Sequence, residues 1–260
     1  MYENLKEDKI LISLAEDRYD MCVDGYMLSY TDFLDLRQQS LLMERFKGAA
    51  CMEFYGGHDD AERKICVFRP DYLEGSIGEY FKAEEEDNPV VWLRITRPEK
   101  GRELTHRDYL GSITGMGIKR EKIGDILVRE DGADVACLKE VAEYLLYNYE
   151  KAGRVNVKTE LVSAADISLP RQRFKEIRDT VASLRIDSVV SSAFGMSRAK
   201  AQEAITRGIV FADSRQILKP DFTVKEGMKL VVRGMGKARL AKVGGNSRKG
   251  RTYIVIEKYL

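Results

Sequence analysis

Little in this chain points to a metal site, a disulfide framework or a membrane. Of its 260 residues only four are cysteine and two are histidine. Cys22, Cys51, Cys66 and Cys137 lie far apart with no C-x-x-C pair, which argues against a zinc knuckle or a disulfide scaffold. They read as buried free thiols in a reducing compartment. The N-terminus lacks the basic-then-apolar layout of a signal peptide, and no apolar run approaches the roughly 18 residues that a spanning helix needs. A cytoplasmic protein without membrane contact is expected. His58 and His106 have no Ser or Cys nucleophile with an orienting third group nearby in sequence. Gly115-Met116-Gly117 and Gly234-Met235-Gly236-Lys237 lack the strand-to-helix context of a nucleotide loop. No catalytic residue, metal or cofactor is therefore expected, and no internal repeat is apparent.

What the chain does have is core-forming residues and charge, 44% hydrophobic and 33% charged, which fits one large or two to three small cores. The net charge of +1 conceals a division at Pro170. Residues 171–260 hold 20 Lys+Arg against 8 Asp+Glu, a net of +12, and the first 170 hold 23 against 34, a net of −11. A basic third on an acidic body suggests a polyanion-facing module, with nucleic acid the first candidate. The alternative is a solvated surface on which basic residues cluster.

Periodicity predicts helices over residues 5–19 and 33–46, then strands over 51–55 and 64–68 around Gly56-Gly57-His58-Asp59-Asp60. An acidic stretch at 84–89 reads as a helix end and linker. Beyond it come a strand over 90–95, a helix that Thr105 can cap and Gly115 can close, strands at 126–128 and 135–137, a helix over 139–151 and a strand over 155–161. This is the β-α-β-β-α-β order of ferredoxin-like and RNA-recognition modules. A true RNA-recognition sheet would carry aromatic residues for base stacking, and residues 133–138 have none. The expected class is α+β and multi-domain. A small N-terminal α/β domain spans 1–76, an RRM-like domain 77–163, a linker 164–182, and a basic module 183–260.

In the basic module, Ser183 can cap a helix closed by Gly195, and Ser197 can cap a second that ends at Gly208. Short strands are expected at 209–211, 216–218, 229–233 and 253–256. Arg198, in the first turn of the second helix, opposes the helix dipole and invites an anionic partner such as phosphate, with Lys200 beside it. Residues 234–251 contain Lys237, Arg239, Lys242, Arg248, Lys249 and Arg251 with five glycines and no acid, and read as a loop that orders on phosphate. Arg233 adjoins it.

Leu184-Arg185-Ile186-Asp187, Ser197-Arg198-Ala199-Lys200-Ala201-Gln202, Gly208-Ile209-Val210, Pro220, Val224, Lys225 and Gly227 resemble the S4-type RNA-binding domain, the alpha-L motif. The resemblance covers about residues 183–233 and implies RNA contacts from Arg185, Ser197, Arg198, Lys200 and Arg207. Asp187 is expected to be structural, pairing with a nearby base or capping backbone. The chain departs from the pattern at Ala212-Asp213-Ser214, where the family has Asn-Gly, and at Met228.

Residues 103–111, 115–126, 54–57 and 61–64 extend the likeness to nearly the whole chain, which looks like a member of the YlmH family of Gram-positive bacteria. Leu36, where that family has proline, is a departure. The resemblance implies a non-catalytic protein that binds ribosomal RNA or tRNA on the large ribosomal subunit, in quality control of stalled peptidyl-tRNA complexes. His106, Arg107, Lys119 and Arg120 form a second, smaller candidate RNA contact, a solvated turn being the other reading. The alternatives are an RNA-modifying enzyme, since S4-like modules accompany several, and a cell-division scaffold, a role with which the family is also linked.

Overall fold

Short polar pairs start three of the helices. In the computed structural model, which describes residues 2–98, 102–167, 169, 174–247 and 250–259, Asp35 with Gln38, Ser76 with Glu79, and Thr105 with Asp108 each close a reciprocal capping box. Each box satisfies N–H groups that the first turn leaves without a partner. The chain divides into two compact units, Met1–Pro170 and Arg171–Leu260. Pro170 itself, like Arg248 and Lys249 of the basic segment, lies outside the described residues.

The first unit opens with α1 (Tyr2–Val23), β1 (Ser29–Tyr30), α2 (Leu36–Arg45), β2 (Met52–Tyr55), β3 (Ile65–Phe68) and α3 (Ile77–Ala83). Its antiparallel three-stranded sheet has the order β1-β3-β2. Then follow β4 (Val90–Thr96), α4 (His106–Gly115), β5 (Ile123–Arg129), β6 (Gly132–Leu138), α5 (Lys139–Asn148), the short pair β7 (Lys151–Ala152) and β8 (Val155–Asn156), and β9 (Lys158–Val162). Strands β5-β6-β4-β9 form an antiparallel four-stranded sheet.

Alternation along β4 and β6 divides that sheet into two faces. Leu93, Ile95, Ala133, Val135 and Cys137 pack under α4 and α5 with Tyr109, Ile113 and Leu145. Val90, Trp92, Ala136 and Leu138 point the other way, into a core shared with Phe33, Ile65, Val67, Ile77 and Phe81. The segment before β4 and the four-stranded sheet therefore bury one another. Lifting that cover would expose eight large side chains, five on the cover and Val90, Trp92 and Leu138 on the sheet, at about 1.5–3 kcal/mol each. Further along the same face Arg94 stands opposite Asp134. The Asp134 carboxylate is fully buried and accepts from Arg94 Nε at 2.9 Å and Arg129 Nη1 at 3.3 Å.

The second unit comprises β10 (Phe174–Val181), α6 (Ile186–Phe194), α7 (Arg198–Thr206), β11 (Val210–Ala212), β12 (Arg215–Gln216), β13 (Lys229–Val232), β14 (Gly236–Asn246) and β15 (Thr252–Tyr259). The sheet order is β10-β15-β14-β13-β11-β12. Three sequence expectations change here. The segment 234–251 is not a loop: most of it is β14, which pairs with β13 and β15 and buries Ala238 and Leu240. Alternate apolar residues among the basic ones give it a face to bury. The segment 164–182 contains β10, which runs antiparallel to β15 from Phe174↔Tyr259 to Val181↔Thr252. Ser183 does not cap α6. The cap position is Arg185, and the first turn is held by backbone bonds from Ile186 and Asp187 to Phe222 and Pro220. Asp213 and Ser214, with φ of +45° and +65°, make the tight β11–β12 turn in the left-handed conformation that Asn-Gly adopts more readily.

Candidate nucleic-acid interface

The corner between α6 and α7 is fixed by glycine and serine. Gly195 ends α6 at φ +64°, and Ser197 Oγ accepts from the Lys200 amide at 3.3 Å to start α7. Ala201, Ala204 and Ile205 bury one side of α7, leaving Arg198, Lys200 and Arg207 on its exposed side. The turn of the chain brings Arg198 over the start of α6, where Asp187 is fully buried. Asp187 Oδ2 accepts from Arg198 Nη2 and Gln202 Nε2, both at 2.8 Å. Arg185 Nε and Nη2 approach the two carboxylate oxygens at 3.3 and 3.4 Å, and Ser188 Oγ donates at 3.3 Å. Burial by itself would raise the Asp187 carboxyl. Hydrogen bonds from Gln202, Arg198 and Arg185 outweigh it and hold the group well below the usual carboxylate range.

The anionic partner of Arg198 is thus supplied from within the protein. The carboxylate offsets the repulsion between guanidinium and helix dipole and fixes two arginines in place, each still 40–54% exposed. One buried negative charge holding two half-exposed positive ones leaves the corner net cationic toward solvent.

The other residues expected from sequence fall into groups. Lys200 is exposed, and Arg207, at the end of α7, is loosely paired with Glu203 at 3.7 Å. The Arg233 guanidinium lies 5.3 Å from the centre of the Phe211 ring. Arg239 is held by Glu257, its cross-strand neighbour, through Nε at 3.1 Å and Nη2 at 2.6 Å. Lys237, half-buried, and Lys242, exposed, lie along β14. One cation escaped the sequence reading: Lys258 sits 5.1 Å over the Phe194 ring. Arg251, expected in a phosphate-contacting loop, instead binds Thr180 through the hydroxyl at 3.0 Å and the carbonyl. A cavity of about 310 Å³ lies beside the corner, with Arg198, Arg251, Thr180, Ser188, Ser191 and Ser192 among its lining. Nothing local in the sequence joins Thr180 to Arg251, because β10 and β15 meet only in the sheet.

Residues 83–166 match a family model described as "Putative RNA-binding domain in YlmH". Over 255 residues, 97% of this chain and 96% of the relative, the sequence is 30% identical to the ribosome-associated protein quality control protein P2 of Bacillus subtilis. The chain belongs to the YlmH family. The solved structure of the cell division protein ylmH from Streptococcus pneumoniae is 23% identical, matches 62% of this chain and 95% of that chain, and superposes with a TM-score of 0.48.

In this YlmH-family chain the segment matched by the family model has one sheet face under its own helices and the other under residues 33–81 and the Arg94–Asp134–Arg129 cluster. Among the described residues, neither face presents aromatic rings to solvent for stacking. His106 opens α4 close to Arg120; burial and the Arg120 charge push the imidazole below its ordinary value, against Asp125. Arg120 is half-buried and donates to the Ile123 and Gly124 carbonyls. Burial and the neighbouring Arg63 bring it down to about 10, with Asp125 opposing. Arg107 and Lys119 are exposed. No helix among the described residues is long and apolar enough to cross a membrane, and no group of His, Cys, Asp and Glu among them is arranged to hold a metal.

Proposed function

We propose that the chain is a non-catalytic RNA-binding factor whose S4-like second unit docks on structured ribosomal RNA or tRNA of the large ribosomal subunit, in quality control of stalled peptidyl-tRNA complexes. The observation that carries this reading is the Asp187 hub. It holds Arg185 and Arg198 at a helical corner while leaving both half-exposed, on a unit of net charge +12. A pre-organised pair of guanidinium groups suits the oxygens of a folded phosphate backbone, because less side-chain freedom is lost on contact. Lys200 and Arg207 extend the cationic surface along α7. The name of the Bacillus subtilis relative, similar over nearly its whole length, supports the ribosomal setting. The RRM-like part of the first unit, residues 77–163, contributes a smaller contact through Arg107 and Lys119.

The test uses Lys200→Glu with Arg207→Glu, which alters the surface and leaves the hub intact. Cosedimentation of the full chain with purified large subunits should be lost at moderate salt. In the wild type, affinity should fall steeply as salt rises, because each neutralised phosphate releases counterions. Full binding by the double variant, or an affinity indifferent to salt, would remove the second unit as the docking surface.

A further inference from the structure

The acidic excess of the first unit is confined to its first ninety residues. Residues 1–90 hold 21 Asp+Glu against 10 Lys+Arg, whereas residues 91–170 hold 13 of each. On this acidic segment the loop after α1 meets the loop after β3, where Tyr72 Oη donates to the Tyr26 carbonyl at 3.2 Å. Both rings face solvent, Tyr26 63% and Tyr72 60% exposed, with Met27 beside them at 54%. Tyr80 stands close by, its hydroxyl bound to Asp87. The exposed carboxylates Asp24, Asp71, Glu74 and Glu84 belong to the same loops and the end of α3.

Tyr26 is also strained. Its φ is +53°, a region that residues other than glycine rarely adopt, and the turn before it is tight: a Cβ on Gly25 would lie 2.7 Å from the Met21 carbonyl oxygen. Glycine would relieve position 26 but remove the ring. An exposed aromatic side chain kept at a backbone cost, next to a second exposed tyrosine and a methionine, has the composition of an interface centre.

We propose that this tyrosine patch docks a Lys/Arg-rich segment of a protein of the large ribosomal subunit. Charge selects the occupant. A net of −11 over the first ninety residues repels a phosphate backbone and attracts a basic polypeptide. Tyrosine faces accept guanidinium and ammonium groups, and the surrounding carboxylates pair with them. The inference rests on the ribosomal reading above and assigns a second, protein-directed contact to the same docked chain.

Tyr26→Gly in the full chain tests it, with affinity measured for intact large subunits and for protein-free ribosomal RNA refolded from the same subunits. The expected result is about a tenfold weaker affinity for intact subunits, unchanged affinity for the bare RNA, and a melting temperature that rises because the strain is gone. A variant that is more stable yet binds less well cannot be explained by unfolding. Tyr72→Ser should show the same split between the two ligands. Equal loss on both ligands would make the patch an RNA contact, and no loss on either would leave it without a ribosomal partner; each result overturns the inference. Lys200→Glu with Arg207→Glu should instead lose binding to both ligands. If that double variant binds normally while Tyr26→Gly shows the split, the RNA reading fails and the protein contact stands. A wild-type chain that ignores intact subunits removes both.

Discussion

Asp187→Asn is the substitution that most directly tests the hub. Asparagine keeps the shape and one acceptor but replaces the other oxygen by a donor. The site already receives N–H groups from Arg198, Gln202 and Arg185, so at least one donor then faces another inside a fully buried space. Removing one member of a fully buried ion pair costs about 3–5 kcal/mol. Here both arginines are well exposed, and solvent screening reduces the Coulomb part to the scale of a surface pair, about 0–1 kcal/mol each. The Gln202 bond to a charged acceptor adds about 1.5–3 kcal/mol. A net loss of about 2–3 kcal/mol follows for the second unit, or roughly 10 °C or more in melting temperature for a unit of this size.

The assay separates the units, because the single tryptophan, Trp92, lies in the first. Far-ultraviolet circular dichroism should show an earlier transition, while the Trp92 fluorescence transition stays in place. The pH dependence has a definite sign. A carboxyl held below its unfolded value stabilises the fold above that value, 3.8, and loses the contribution as pH falls toward its folded value. The gap between wild type and Asp187→Asn should therefore be full at neutral pH and narrow below about pH 4. An unshifted circular-dichroism midpoint at pH 7, or a gap that widens in acid, would refute this account of the hub.

Other substitutions probe the first unit and its thiols. Gly132→Ala should prevent normal folding of the four-stranded sheet, since its Cβ would collide with the Ile95 carbonyl oxygen; an unchanged thermal transition would contradict the close approach of β4 and β6. Gly124→Ala would place a methyl 2.7 Å from the Phe33 ring and should cost about 1–3 kcal/mol by overpacking, read from Trp92 emission during urea unfolding. Alkylation at mildly alkaline pH, followed by mass spectrometry, should label half-buried Cys51 first, because burial pushes the Cys22 thiol up to about 11 and Cys137 up to about 12. Labelling of Cys137 before Cys51 in the folded chain would be inconsistent with that burial.

Features written in local chemistry can be read from the order of residues alone. The caps at Thr105 and Ser197, the closing glycine at 195, the strand at 90–95 and the opposite charges of the two halves are all set by neighbours in the chain, so they were legible. Even the structural part expected of Asp187 rested on a short motif. Tertiary structure decided what depends on distant strands. β14 looked like a basic loop because its buried alternation, Ala238 and Leu240, is brief and lies among cations and glycines; only β13 and β15 on either side make it a strand. β10 carries few apolar residues and exists through its pairing with β15. The fate of the basic residues was decided the same way. Arg198 meets Asp187 across a helical corner and Arg239 meets Glu257 across a sheet, so which cations are paired within the protein and which face solvent is a property of the fold. Coulomb interactions act through space, and the sequence records only how many charges there are and in what order.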